Sequence, residues 1–170
     1  MKQTICMIVA VGLAFTGCKK SSSSPWPTTP TTTIPTDGWK LGTVKYTQVY
    51  CLRQTSQRLL NCVDATTGSI HSFAAFFKAY PTASGTYHIV NTPHDSLATY
   101  LGQNIGDNDV IVSGSVTATA TSDRTYWSIG TESKVATVTI TGDKIKVEVP
   151  EVSVVSNGDT MKLTGTMIEN

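Results

Sequence analysis

Charge is scarce in this chain, and its two signs nearly cancel. Only 15% of the residues are charged, 13 Lys+Arg against 12 Asp+Glu. That composition excludes an extended, self-repelling polyelectrolyte. It also removes the basic face that nucleic-acid binding requires, so no nucleic-acid partner is expected. Helical periodicity is missing from Trp39 onward. Also missing are a G-x-S-x-G elbow, an S-x-x-K or H-E-x-x-H motif and a glycine-rich phosphate loop. The sequence therefore names no nucleophile, catalytic metal or cofactor by motif.

What is present begins at Met1-Lys2-Gln3, followed by an apolar stretch from Thr4 to Phe15. This stretch falls short of the roughly 20 residues that a membrane-crossing helix needs, and it reads as a secretory signal. It ends in Leu13-Ala14-Phe15-Thr16-Gly17-Cys18, followed by Lys19-Lys20 and four serines. The sequence up to Cys18 resembles the lipobox of bacterial lipoproteins, with Phe15 where many lipoboxes carry an aliphatic residue. The resemblance implies a diacylglyceryl thioether on Cys18, cleavage between Gly17 and Cys18, and a membrane partnership through that lipid. A single acyl chain holds only marginally, whereas two or three on one cysteine make a stable anchor.

Residues 19–36 are dominated by Ser, Thr and Pro and carry no apolar period. Such a segment buries too little to fold and reads as a linker. Its prolines favour extended backbone, with a reach of roughly 56 Å over its length. The expected organisation is a signal over 1–17, a lipidated Cys and tether over 18–38, and one domain over 39–170. A domain of about 130 residues can build its own core.

In that domain apolar and β-branched residues alternate between Gly, Asp, Asn and Pro. Strands are predicted over 41–52, 58–64, 69–79, 86–90, 97–101, 110–120, 126–129, 135–141, 145–149, 152–155 and 161–168. Phe73, Phe76 and Phe77 also fit a helical turn. Thr139 to Lys146 reads as a hairpin about Gly142-Asp143. The expected fold is all-β, an antiparallel β-sandwich or partly closed β-barrel of about 8–10 short strands. GTYHIV (85–90), SGSVTATA (113–120), VATVTITGDKIKVEV (135–149) and LTGTMIEN (163–170) follow the lipobox in this order. Together they resemble the small single-domain β lipoproteins of Bacteroidota, many filed as domains of unknown function. That resemblance implies a β fold in the cell envelope, on the outer membrane, and carries no catalytic residue. Surface-export signals of that phylum resemble an acidic cluster after the lipidated Cys. Lys19-Lys20-Ser21 stands here, which leaves both the periplasmic and the surface face open. Asp95-Ser96-Leu97 and Asp159-Thr160-Met161 are similar to its short O-glycosylation motif, at Ser96 and Thr160.

Cys51 and Cys62 sit on consecutive predicted strands. Export permits a disulfide between them, and two small buried hydrophobes is the other reading. His71 and His88 alternate with apolar residues and are expected on a solvated strand face, while His94 and Asp95 share a loop. Asp107-Asn108-Asp109 offers oxygens to calcium or simply forms a polar turn. No metal site is expected from these spacings. Tyr46, Tyr50, Tyr87, Tyr100, Tyr126 and Trp127 could form an aromatic platform, but alternating aromatics usually pack in cores and cross-strand pairs. The leading expectation is an anchored, non-enzymatic binding module for a protein or glycan, with contact surfaces at 51–64, 91–109 and 122–134. A small envelope hydrolase or carbohydrate-processing accessory, and a structural subunit of an envelope assembly, are the alternatives.

Overall fold

A computed structural model describes residues 33–66, 69–91, 105–117 and 123–170. Eleven strands run through them: β1 (Gly38–Leu41), β2 (Val44–Tyr46), β3 (Tyr50–Gln54), β4 (Leu59–Thr66), β5 (Ser69–Phe77), β6 (Gly85–Ile89), β7 (Asp109–Thr117), β8 (Asp123–Ser128), β9 (Val135–Thr141), β10 (Lys144–Ser156) and β11 (Asp159–Ile168). One turn of 3-10 helix, Thr55–Gln57, lies between β3 and β4. The fold is all-β, as the alternation implies. The strand predicted at 97–101 lies outside the described residues.

All the strands belong to one sheet, in the order β2-β1-β11-β10-β9-β6-β7-β5-β4-β3. The pairs are antiparallel except β6 with β7, which run parallel at His88↔Asp109 and Ile89↔Val110. The sheet is therefore mixed rather than wholly antiparallel, and the long connection from Ile89 to Asp109 permits the parallel pair. β8 bridges β7 and β10, so the sheet forks and rejoins. Ser128 fills the fork: its hydroxyl donates to the Val90 carbonyl at 2.6 Å and accepts from the Val112 N–H at 3.3 Å.

Most strand ends shift by one to three residues, and two predicted divisions change. The predicted strand 41–52 breaks into β1, β2 and β3. Gly42, at φ 60°, turns the chain back so that Leu41 pairs with Val44, a left-handed position that glycine adopts without steric cost. The predicted strands 145–149 and 152–155 are one strand, β10, with a register shift between Val149 and Val152. Pro150 has no N–H to give the ladder, and the bulge absorbs that loss. Thr164 supplies a hydroxyl to the Val149 carbonyl at 3.0 Å.

The sheet curls into a partial ring, not a closed barrel: its end strands β2 and β3 do not pair, and separate contacts bridge the gap. Gln48 donates to the Ile168 carbonyl and accepts from the Ile168 N–H. Asn170 gives its N–H to the Cys51 carbonyl at 3.0 Å and takes the Cys51 N–H on Oδ1 at 3.1 Å. Asp64 accepts from the Thr47 N–H at 3.2 Å. These contacts occupy part of an edge that would otherwise offer free backbone groups.

Trp39, Leu60, Phe73, Phe77, Leu163 and Met167 fill the enclosed core. Trp39 stacks on Tyr46 at 5.3 Å and tilts against Phe73 at 5.9 Å. The Phe73/Phe76/Phe77 spacing resolves as strand: Phe73 and Phe77 point into the core, and Phe76 lies against Trp127. One end of the ring is tied by Arg53. Its guanidinium meets both Glu169 oxygens at 2.9 and 2.7 Å, donates to the Asp143 carbonyl, and lies 4.6 Å from the Tyr80 ring centre. Burial pushes the Tyr80 hydroxyl up to about 12.

Candidate functional site

The end opposite Arg53 holds an apolar cleft of 310 Å³. Its size falls in the range of small-molecule sites, about 300–1,000 Å³. The strand registers explain its position. β1–β2 and β10–β11 turn back here, and β7–β8 and β4–β5 reach the same end. Short β1 and β2 leave the mouth open between β2 and β7. Leu41 comes from β1, Val44 and Tyr46 from β2, Val116 from β7, Arg124 and Tyr126 from β8, and Met161 from β11.

The wall is hydrocarbon and ring, and the polar groups gather on one side. Tyr126 donates its hydroxyl to Asp159 Oδ2 at 2.8 Å. Arg124 Nη1 lies 3.6 Å from the same oxygen. The bond with Tyr126 chiefly, with a smaller part from the Asp159 charge, raises the Arg124 pKa further. Burial, and after it the Asp64 charge, raise that of Tyr46. Both groups therefore keep their neutral-pH forms, a cation and a phenol.

Behind the cleft Tyr46 lies between Trp39 and His71, whose ring centre is 4.5 Å away. Trp39 Nε1 and His71 Nδ1 are buried without a hydrogen-bond partner. Buried polar groups are normally satisfied, so two orphans beside one ring mark this layer as unusual. His71 is half-buried, its ring packed against Tyr46 behind the cleft wall, because its strand alternates inward with Phe73.

The other singled-out residues fall elsewhere. His88 is exposed, and with Asp107 and Asn108 it lines a shallow polar groove at 79–88. Lys78 holds Asp107 at 2.8 Å and depresses its pKa. Asp109 accepts from the Gly106 N–H, which makes 106–109 a polar turn. Among the described residues no three His, Cys, Asp or Glu side chains gather closely enough to hold a metal ion. Tyr87 packs edge-on against Phe77, and Tyr50 is exposed on β3. With Tyr46 and Tyr126 buried and Trp127 against Phe76, the described aromatics form no common platform. Cys51 and Cys62 sit directly opposite each other on β3 and β4 and form a disulfide. Thr160 is exposed beside Asp159. Gly17, Cys18, His94, Asp95, Ser96 and Tyr100 lie outside the described residues.

Of the expected contact segments, 122–134 supplies Arg124 and Tyr126 to the cleft. Leu41, Val44, Val116 and Met161 are not legible as site residues, because nothing local distinguishes them from core. Their one shared signal is position, each lying near the cleft end of its strand. Comparison of the chain with protein-family models, with curated proteins and with solved structures finds no match.

Proposed function

We propose that the chain is a lipid-anchored protein of a bacterial cell envelope whose β domain binds a small, largely apolar ligand without transforming it. The lipobox-like Leu13 to Cys18 segment supports the anchor, and the Ser/Thr/Pro tether supports a domain held clear of its membrane. The observation that carries the binding reading is the cleft at the mouth of the curled sheet. Its hydrocarbon wall provides affinity through burial. The Tyr126, Asp159 and Arg124 groups at its rim provide orientation. At the rim the Asp159 carboxylate is already engaged by the Tyr126 hydroxyl and the Arg124 guanidinium, an arrangement that suits orienting a ligand.

Two measurements test this proposal. Radioactive fatty acid should label the wild type and not Cys18→Ser, and equal labelling would remove the anchor. Methyl NMR titration with 1-anilinonaphthalene-8-sulfonate should shift Val44, Val116 and Met161 first. Shifts confined to other methyls would remove the cleft as the site.

A further inference from the structure

Lys40 and Lys45 face each other across β1 and β2 in direct register. Both are exposed. No salt bridge ties either one to a carboxylate among the described residues. Like charges directly opposite in a sheet repel, so the pair lowers the stability of its own hairpin unless an anion joins it. The two lysines line a groove of 380 Å³ with Thr33, Ile34, Pro35 and Thr36. Val44, next to Lys45 on β2 and turned to the other face of the hairpin, is 51% exposed and belongs to the cleft wall. The domain thus presents two uncompensated cations and an apolar tip on one edge hairpin. This is also where the tether joins it, with Thr166 bonded to the Pro35 carbonyl.

From this arrangement we infer that the β1–β2 hairpin is a membrane-docking surface. Its Lys40–Lys45 pair takes the phosphates of anionic lipid headgroups. The inference rests on the anchor reading, which supplies the neighbouring membrane. Each lysine at an anionic surface strengthens binding by roughly five-fold, so two alone would hold a free protein weakly. A tether changes that arithmetic, because docking becomes an intramolecular step at high effective concentration. Docked this way, Val44 and the mouth of the cleft lie beside the headgroups, where an apolar ligand would be met.

The test uses the full lipidated chain in sealed vesicles, with site-resolved amine labelling read by mass spectrometry. Lys134 and Lys144, exposed elsewhere on the domain, serve as internal standards. In vesicles containing phosphatidylglycerol, Lys40 and Lys45 should label at least about five-fold more slowly than in pure phosphatidylcholine. High salt should abolish the difference. Equal labelling in both lipids would overturn the proposal. Protection by inorganic phosphate added to phosphatidylcholine vesicles would also overturn it, by showing a free-anion site. Flotation in pure phosphatidylcholine separates this inference from the anchor. If wild type fails to float there, the anchor reading falls. Where wild type floats, equal labelling of Lys40 and Lys45 in the two lipids overturns the docking alone and leaves the anchor standing.

Discussion

Cys51 and Cys62 face each other across β3 and β4 and are bonded, closing a loop with a sequence separation of 11. β3 is the last strand of the sheet path, and its outer edge is held at Cys51 by Asn170. The bond therefore fixes the strand that meets the C-terminal end of β11 across the gap. Replacing both cysteines with alanine should lower stability by about 2–3 kcal/mol, the loop-closure contribution for that length. Chemical denaturation of wild type and double variant measures it. An unchanged midpoint would show that the contacts across the gap hold without the bond.

The Arg53–Glu169 pair closes the end away from the cleft. Its hydrogen bonds with Arg53, outweighing burial, keep the Glu169 carboxyl below its ordinary 4.5. A depressed folded pKa gives stability that is present above the unfolded value and is lost as pH falls through the folded one. Glu169→Gln should cost about 1 kcal/mol at neutral pH. The gap from wild type should close progressively below about pH 4.5, as thermal melts across that window would show.

Tyr80 gives the opposite limb. Its hydroxyl is raised from 10.0 to about 12, chiefly by burial. Stability linked to it is complete below the unfolded value and lost as pH rises toward the folded one. Tyr80→Phe should therefore flatten the alkaline fall of wild type above about pH 10. A parallel fall in both proteins would contradict the assignment.

Gly165 faces Trp39 in register. A Cβ there would lie 2.5 Å from Trp39 Cβ, 2.7 Å from the Gly38 carbonyl oxygen and 2.8 Å from Phe73 Cε1. Two of these contacts are with backbone or a Cβ, which cannot swing aside. Gly165→Ala should destabilise the fold by about 1–3 kcal/mol through overpacking. Gly85, whose Cβ would meet nothing within 4 Å, is the control.

Legibility followed how local each signal is. Gly142-Asp143 and Asn157-Gly158 mark hairpin turns in the sequence, and the strands on either side pair as their alternation suggests. Asn157 and Gly158 both take positive φ, 48° and 81°, as a type I′ turn requires. Gly42 lies within an unbroken alternating run, so its turn is hidden by pattern. Pro150 looks like a strand end, but a bulge lets β10 continue. The cleft is less legible than any of these. Its walls come from Leu41, Val116 and Met161, brought together only by the curl of the sheet, and each reads locally as a core residue.

The most direct test of the account puts a charge into the cleft. Met161→Glu should leave the fold in place, because Met161 is only partly buried at the mouth, while the new carboxylate would oppose the probe's sulfonate. Isothermal titration with 1-anilinonaphthalene-8-sulfonate should show one saturable site on wild type. The variant should bind at least about tenfold more weakly, a loss of about 1.4 kcal/mol, with an unchanged circular dichroism spectrum. Equal affinity in the two proteins would place the ligand elsewhere and contradict the cleft as the binding site.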